Sequence, residues 1–138
     1  MKKLCVISAL IITLVSCENK ENADTTMDYN NMIVRIAELE IVEEQLKNYL
    51  TELNIEARAS MERESGVISI FPMSDKETPS KITIVEIYAD KSAYEAHLET
   101  PHFKKYKTTT AEMVKSLKLI DMGAVDLESM PLIFEKLK

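Results

Sequence analysis

Lys81–Tyr106 reads KITIVEIYADKSAYEAHLETPHFKKY, and its two periodicities decide the fold. The first eight residues alternate. Ile82, Ile84, Glu86 and Tyr88 share one face of a strand; Thr83, Val85 and Ile87 share the other. Asp90 then stands where a helix N-cap belongs, ahead of a short helix over Lys91–Leu98. Thr100-Pro101 repeats the signal, with a capping residue followed by proline at the first helical position. The helix it opens carries Phe103, Tyr106, Thr110, Met113 and Leu117 at helical spacing, and a strand over Lys115–Met122 overlaps its end.

Upstream the same order occurs once more. Met32–Ile41 (MIVRIAELEI) is β-branched and turns alternating, which predicts a strand. Val42–Ser65 carries Val42, Leu46, Tyr49, Leu50, Leu53, Ala57 and Met61 at spacings of three and four, which predicts a helix. Glu43 and Glu44 suit its first turn, where the helix dipole favours acids. Gly66 suits a C′ position after it. Val67–Met73 is a second strand, ended or held at a sheet edge by Pro72, and Ser74–Ser80 is a loop. The sum is βαββαβ over residues 32–122, the ferredoxin-like split pattern of an α+β fold. Helices cover one sheet face. The other face, expected to be the one with Ile84 and Tyr88, needs a second layer that one copy does not supply. A homodimer packed sheet on sheet is therefore expected. Residues 123–138 lie beyond the pattern. Met130, Ile133, Phe134 and Leu137 are helically spaced there, as a docked helix or as an arm swapped onto a partner.

The start of the chain reads as an address. Met1-Lys2-Lys3 is cationic, and Leu4–Val15 is almost wholly apolar but too short to span a bilayer, which takes roughly 20 residues. Leu14-Val15-Ser16-Cys17 resembles a bacterial lipobox, in which the cysteine is lipidated; the alternative is an ordinary secretory signal with an incidental cysteine. The lipoprotein reading makes residues 1–16 a signal peptide, residues 17–31 a polar tether, and the location the bacterial cell envelope, membrane-anchored through Cys17. Cleavage removes Cys5 and lipidation blocks Cys17, so no thiol chemistry remains. Losing Lys2 and Lys3 also takes the net charge from -6 to -8.

Composition excludes further classes. Gly66 and Gly123 are the only glycines, too few for a nucleotide-binding glycine loop. The acidic balance argues against a nucleic-acid partner. His97 and His102 are the only histidines, and five residues on one continuous helix place them about 140° apart. No third ligand has a clear spacing, so no metal site is expected.

The polar residues that could do chemistry are few. His97 either bonds a backbone carbonyl at the helix junction or lines a pocket. His102 is either a solvated first-turn residue or joins that pocket, where a histidine serves as general base. Glu86, Tyr88 and Arg35 lie on otherwise apolar strand faces. They form either an Arg35–Glu86 ion pair or an exposed strand end, or else they are polar groups of a ligand cavity. Lys104, Lys105 and Lys107 read as a solvated helix face.

Val85–Lys107 (VEIYADKSAYEAHLETPHFKKYK) resembles the hallmark segment of the antibiotic biosynthesis monooxygenase domain family: an acidic and an aromatic residue ending a strand, an AY-xx-HL helix, then TPHF-K-Y. The quinol monooxygenase branch is the nearest in pattern. The resemblance implies a dimeric α+β barrel. It also implies oxidation of electron-rich dihydroxyaromatic compounds by O2 with no metal or flavin cofactor. On that resemblance His97 and His102 are the catalytic candidates, and Tyr88, Glu86, Arg35, Tyr94 and Phe103 are the substrate-binding ones. Tyr88 stands where the family often has Trp. The chain has no Trp, and its first strand has no Asn, which argues against the haem-degrading branch. The expected protein is a lipid-anchored, cofactor-independent monooxygenase acting on a small aromatic such as a quinol. The alternative is a non-catalytic dimeric domain of the envelope that holds a small ligand or acts as a scaffold. A cavity with a histidine directed into it favours the first.

Overall fold

The computed structural model describes residues 29–137; the expected signal peptide, Cys17 and most of the tether lie outside them. The elements are β1 (Ile33–Ile41), α1 (Leu46–Arg63), β2 (Val67–Ser74), β3 (Lys81–Tyr88), α2 (Lys91–Glu99), α3 (Pro101–Thr110), β4 (Val114–Met122) and α4 (Ser129–Glu135). Strand order is β2-β3-β1-β4, and every neighbouring pair is antiparallel. This is the expected ferredoxin-like α+β arrangement. Pro72 sits within β2, which is an edge strand, where its missing N–H costs no ladder bond on the open side.

Three local expectations change. The helix after β1 begins with a 3-10 turn, Glu43–Gln45, so the two acids occupy that turn and not the first turn of α1. Gly66 is not a left-handed C′ residue, because no described residue has a positive φ. It is glycine because α2 packs onto it: an added Cβ would lie 2.5 Å from the Ala93 Cβ. The third change concerns the sheet faces. Ile82, Ile84 and Tyr88 are buried beneath the helices of the same chain, beside Ala37, Leu39 and Ile41 of β1 and Val67 and Ile70 of β2. Tyr49, Leu53 and Ala57 of α1 close that core. Each large apolar side chain so buried contributes roughly 1.5–3 kcal/mol. The uncovered face is the opposite one, carrying Val34, Ile36, Val85 and Ile87, partly exposed, and Phe71, 60% exposed.

Strand register prepares the site. On the helix-covered face Arg35 lies opposite Glu86 of β3 and Asp121 of β4, and Ala37 lies opposite Ile84 and Leu119. The C-terminal extension does contain a helix, α4, but Ile133, on its expected apolar stripe, is 57% exposed and is not packed on its own domain. Among the described residues no helix is long and apolar enough to cross a membrane.

Candidate active site

A cavity of about 350 Å³ lies between the helix-covered sheet face and α1–α3. Its volume falls within the range of small-molecule pockets, roughly 300–1,000 Å³. Ala37 makes the room: one methyl group stands where the sheet's other inward positions carry Leu39, Ile84, Leu117 and Leu119. Tyr88, Tyr94, Phe103 and Tyr106 supply aromatic walls, and Arg35, Glu56, Glu86, His97 and Lys107 supply the titratable groups. Every sequence-derived site residue except His102 and the lipidation residue Cys17 therefore lines one cavity. Lys107 is exposed, as expected of a solvated face, and its side chain also borders the cavity.

Arg35 does not pair with Glu86. Its guanidinium meets Asp121 Oδ1 at 2.7 Å and stacks over the Tyr94 ring, 4.7 Å from the centroid. Asp121 reaches Arg35 from the edge strand, and its side chain is 76% exposed against 14% for Arg35, so the pair stands at the cavity rim. Glu86 instead accepts a hydrogen bond from the Tyr88 hydroxyl at 3.1 Å. Burial pushes the Glu86 carboxyl above the usual carboxylate range and raises the Tyr88 phenol. The Tyr49 and Tyr106 hydroxyls share a 2.7 Å hydrogen bond, and burial pushes the Tyr49 phenol up to about 12.

The two histidines converge. The 140° separation assumed a continuous helix, but Thr100 breaks it with extended backbone (ψ 146°). The Thr100 hydroxyl donates to the His97 carbonyl and accepts from the Phe103 N–H, which fixes the turn between α2 and α3. Both rings then reach the Glu64 carboxylate. His97 Nδ1 lies 3.1 Å and His102 Nε2 2.7 Å from Glu64 Oε1. His97 thus bonds a carboxylate, not a backbone carbonyl. Burial opposes the charge on Glu64, yet the hydrogen bonds from the two rings overcome it and hold this carboxyl below its usual range. Against an ionised Glu64 the His97 Nδ1–H is the donor, and in the neutral ring that leaves the Nε2 lone pair free. Nε2 lies 3.8 Å from Glu56 Oε1, and Glu56 accepts a 2.7 Å bond from Ser60. Burial pushes the Glu56 carboxyl up. His97 lines the cavity, its ring packed 4.6 Å from that of Phe103. His102 lies behind it, facing a groove beside Arg58 and Glu62 of α1.

Glu56 and Glu64 are the site residues that sequence reasoning missed. The signal was present: Glu56 and Ser60 lie on the face of α1 that carries Leu53 and Ala57, Glu64 follows four residues on at the helix C-cap, and polar groups there need partners. Glu56, His97 and His102 also offer ligand atoms within 4.8 Å of one another, so a third candidate ligand exists after all.

The profile of the antibiotic biosynthesis monooxygenase family matches residues 32–109. Among solved structures, a Bacteroides thetaiotaomicron protein named as a candidate antibiotic biosynthesis monooxygenase is 42% identical, with TM-score 0.71 over 72% of this chain and 94% of that one. A candidate monooxygenase of Lactobacillus acidophilus is 27% identical, with TM-score 0.66 over 67% of this chain and 44% of its own. A Nitrosomonas europaea protein at 19% identity and TM-score 0.66 shares the fold. No curated protein matches the chain. The profile spans more than half of the chain and the Bacteroides protein matches it over nearly its whole length, so this chain belongs to the antibiotic biosynthesis monooxygenase family.

Proposed function

We propose that the protein oxidises a small electron-rich aromatic, such as a quinol, with O2, and that His97 is the general base. The observation that carries this reading is His97 itself: Nδ1 is tied to Glu64, and the ring lines an aromatic-walled cavity. A quinol hydroxyl placed at Nε2 gives up its proton there, and the resulting anion is a strong enough reductant to pass one electron to O2. Recombination of the two radicals forms a carbon–oxygen bond. Loss of water from the hydroperoxide leaves a hydroxyquinone, so one quinol and one O2 give one hydroxyquinone and one water. The protein's part is to position the ring among Tyr88, Tyr94 and Phe103, exclude bulk water, and hold then return the proton. Family membership and the cavity both support this reading.

The Leu14–Cys17 stretch supports a lipid anchor, which would keep the cavity close to lipid-soluble quinols. The uncovered apolar sheet face supports a homodimer.

Oxygen uptake with reduced menadione tests the assignment. Wild type is expected to consume O2 well above the spontaneous rate, His97→Ala to fall about 10²–10⁴-fold, and Glu64→Gln to fall less, since it loosens the ring without removing the base. Uptake no faster than spontaneous oxidation, or unchanged in His97→Ala, overturns the proposal. Tight quinol binding without uptake would instead assign the cavity to a binding domain.

A further inference from the structure

We infer that Glu56, His97 and His102 form a binding site for one divalent transition ion of the Zn²⁺ type, open to the cavity. The three side chains come from α1, α2 and α3, and their ligand atoms lie within 4.8 Å of one another. Glu56 is 4% and His97 2% exposed, so this is not a chance cluster of surface acids. His97 Nε2 and Glu56 Oε1 are 3.8 Å apart. Two ligands at about 2.0–2.1 Å on a tetrahedral Zn²⁺ lie about 3.3 Å apart, so this edge closes by about 0.5 Å. An edge at the 4.8 Å limit closes by about 1.5 Å, within reach of side-chain rotation in a glutamate and a histidine at a helix end.

The donor set and the charge point to the same ion. Two imidazole nitrogens and one carboxylate suit Zn²⁺ and its neighbours, whereas Mg²⁺ and Ca²⁺ prefer all-oxygen sites. Glu64 already holds the His97 ring by Nδ1 and the His102 ring by Nε2, which leaves His97 Nε2 and His102 Nδ1 as the nitrogens free for the metal in the neutral rings. This is the carboxylate–histidine–metal relay that orients ligands in zinc proteins. The negative charge of Glu64 is answered by two imidazole N–H groups; that of Glu56 is met by the Ser60 hydroxyl, and a dication supplies it with a full partner. Three protein ligands leave a fourth position. Glu56 and His97 both line the cavity, so that position faces it and takes a water or a ligand oxygen.

The inference stands without the proposed oxidation and adds a regulation to it. The His97 lone pair that accepts the substrate proton is the one the ion occupies, so Zn²⁺ and catalysis compete.

The test uses the full chain in detergent, stripped with a chelator and titrated calorimetrically with Zn²⁺. One ion per chain at micromolar or tighter affinity is expected, with no comparable heat from Mg²⁺. Glu56→Gln and His102→Gln are each expected to weaken binding at least tenfold. The wild-type protein loaded with Co²⁺ gives a second readout that needs no variant: intense visible absorption bands of a four-coordinate ion, removed by Zn²⁺. No saturable Zn²⁺ binding, affinity unchanged in both variants, or weak six-coordinate Co²⁺ bands overturn the site. Zn²⁺ binding without any quinol oxidation leaves the site standing and overturns the proposed function. Oxidation that Zn²⁺ fails to inhibit while bound overturns the placement at His97.

Discussion

Glu64 is one residue past the end of α1, yet it holds two rings from two other helices. Placement of that kind depends on contacts of a few atoms. Gly66 is the sharpest case nearby, since any side chain there meets Ala93 at 2.5 Å. Gly66→Ala is expected to cost about 1–3 kcal/mol by overpacking, measured by urea unfolding. Ala93→Gly in the same chain restores most of the loss if close approach is the reason for the glycine; a left-handed requirement would leave it unrescued. Glu86 makes a second residue-scale prediction. Burial raises its folded carboxyl above the unfolded value, so the folded state binds this proton more tightly. Its contribution to stability is fully present below the ordinary carboxylate range and is lost as pH rises through the raised folded value. Glu86→Gln therefore flattens the fall of unfolding free energy across that window, read from urea titrations at a series of pH values. An unchanged slope would show that Glu86 ionises in the folded state as readily as in the unfolded one.

At the scale of elements, the break between α2 and α3 makes the site. Two short helices with a cap between them put His97 and His102 on a common carboxylate, which one long helix could not do. Thr100 is the N-cap of α3 and also bonds the His97 carbonyl. Thr100→Ala is expected to cost about 1 kcal/mol of stability, the usual value of a lost N-cap, and to slow the proposed quinol oxidation more than that loss explains, by loosening His97. Thr100→Ser keeps the hydroxyl and is expected to restore both melting temperature and rate. A Thr100→Ala protein with full activity and a lowered melting temperature would confine the residue to capping. The Asp90 cap and the Pro101 start were legible in sequence because capping chemistry is local. The meeting of the two rings was not, because it follows from the angle between two helices, which is set by packing on β3 and α1.

At the scale of the molecule, one sheet face is covered by helices and the other is not. Val34, Ile36, Val85 and Ile87 lie on the two central strands of the uncovered face, with Phe71 beside them on β2. Charged residues Glu38, Glu40, Lys81 and Lys118 occupy its other end. An apolar band at one end of a polar face suits a second copy related by a two-fold axis. Light scattering at micromolar concentration is expected to give the mass of a dimer, and Ile87→Lys, whose side chain is remote from the cavity, the mass of a monomer. A monomeric wild type would remove the dimer. Ile84 and Tyr88, expected on the uncovered face, lie instead beneath the chain's own helices. Alternation shows that Ile84 and Val85 point opposite ways, but not which way the helices lie.

What the sequence determined by itself was everything carried by short-range periodicity and capping: four strands, three main helices, their order, the ferredoxin-like arrangement and, through Val85–Lys107, the family. It also placed Arg35, Glu86, Tyr88, Tyr94, His97 and Phe103 on one list, and the structure gathers them around one cavity. Only the tertiary structure decided which face of the sheet is covered, that Arg35 pairs with Asp121, and that Glu56 and Glu64 join the histidines. The reason is physical. Periodicity is fixed by the geometry of a single element, whereas these partners are 33 to 86 residues apart in sequence and meet only when several elements pack.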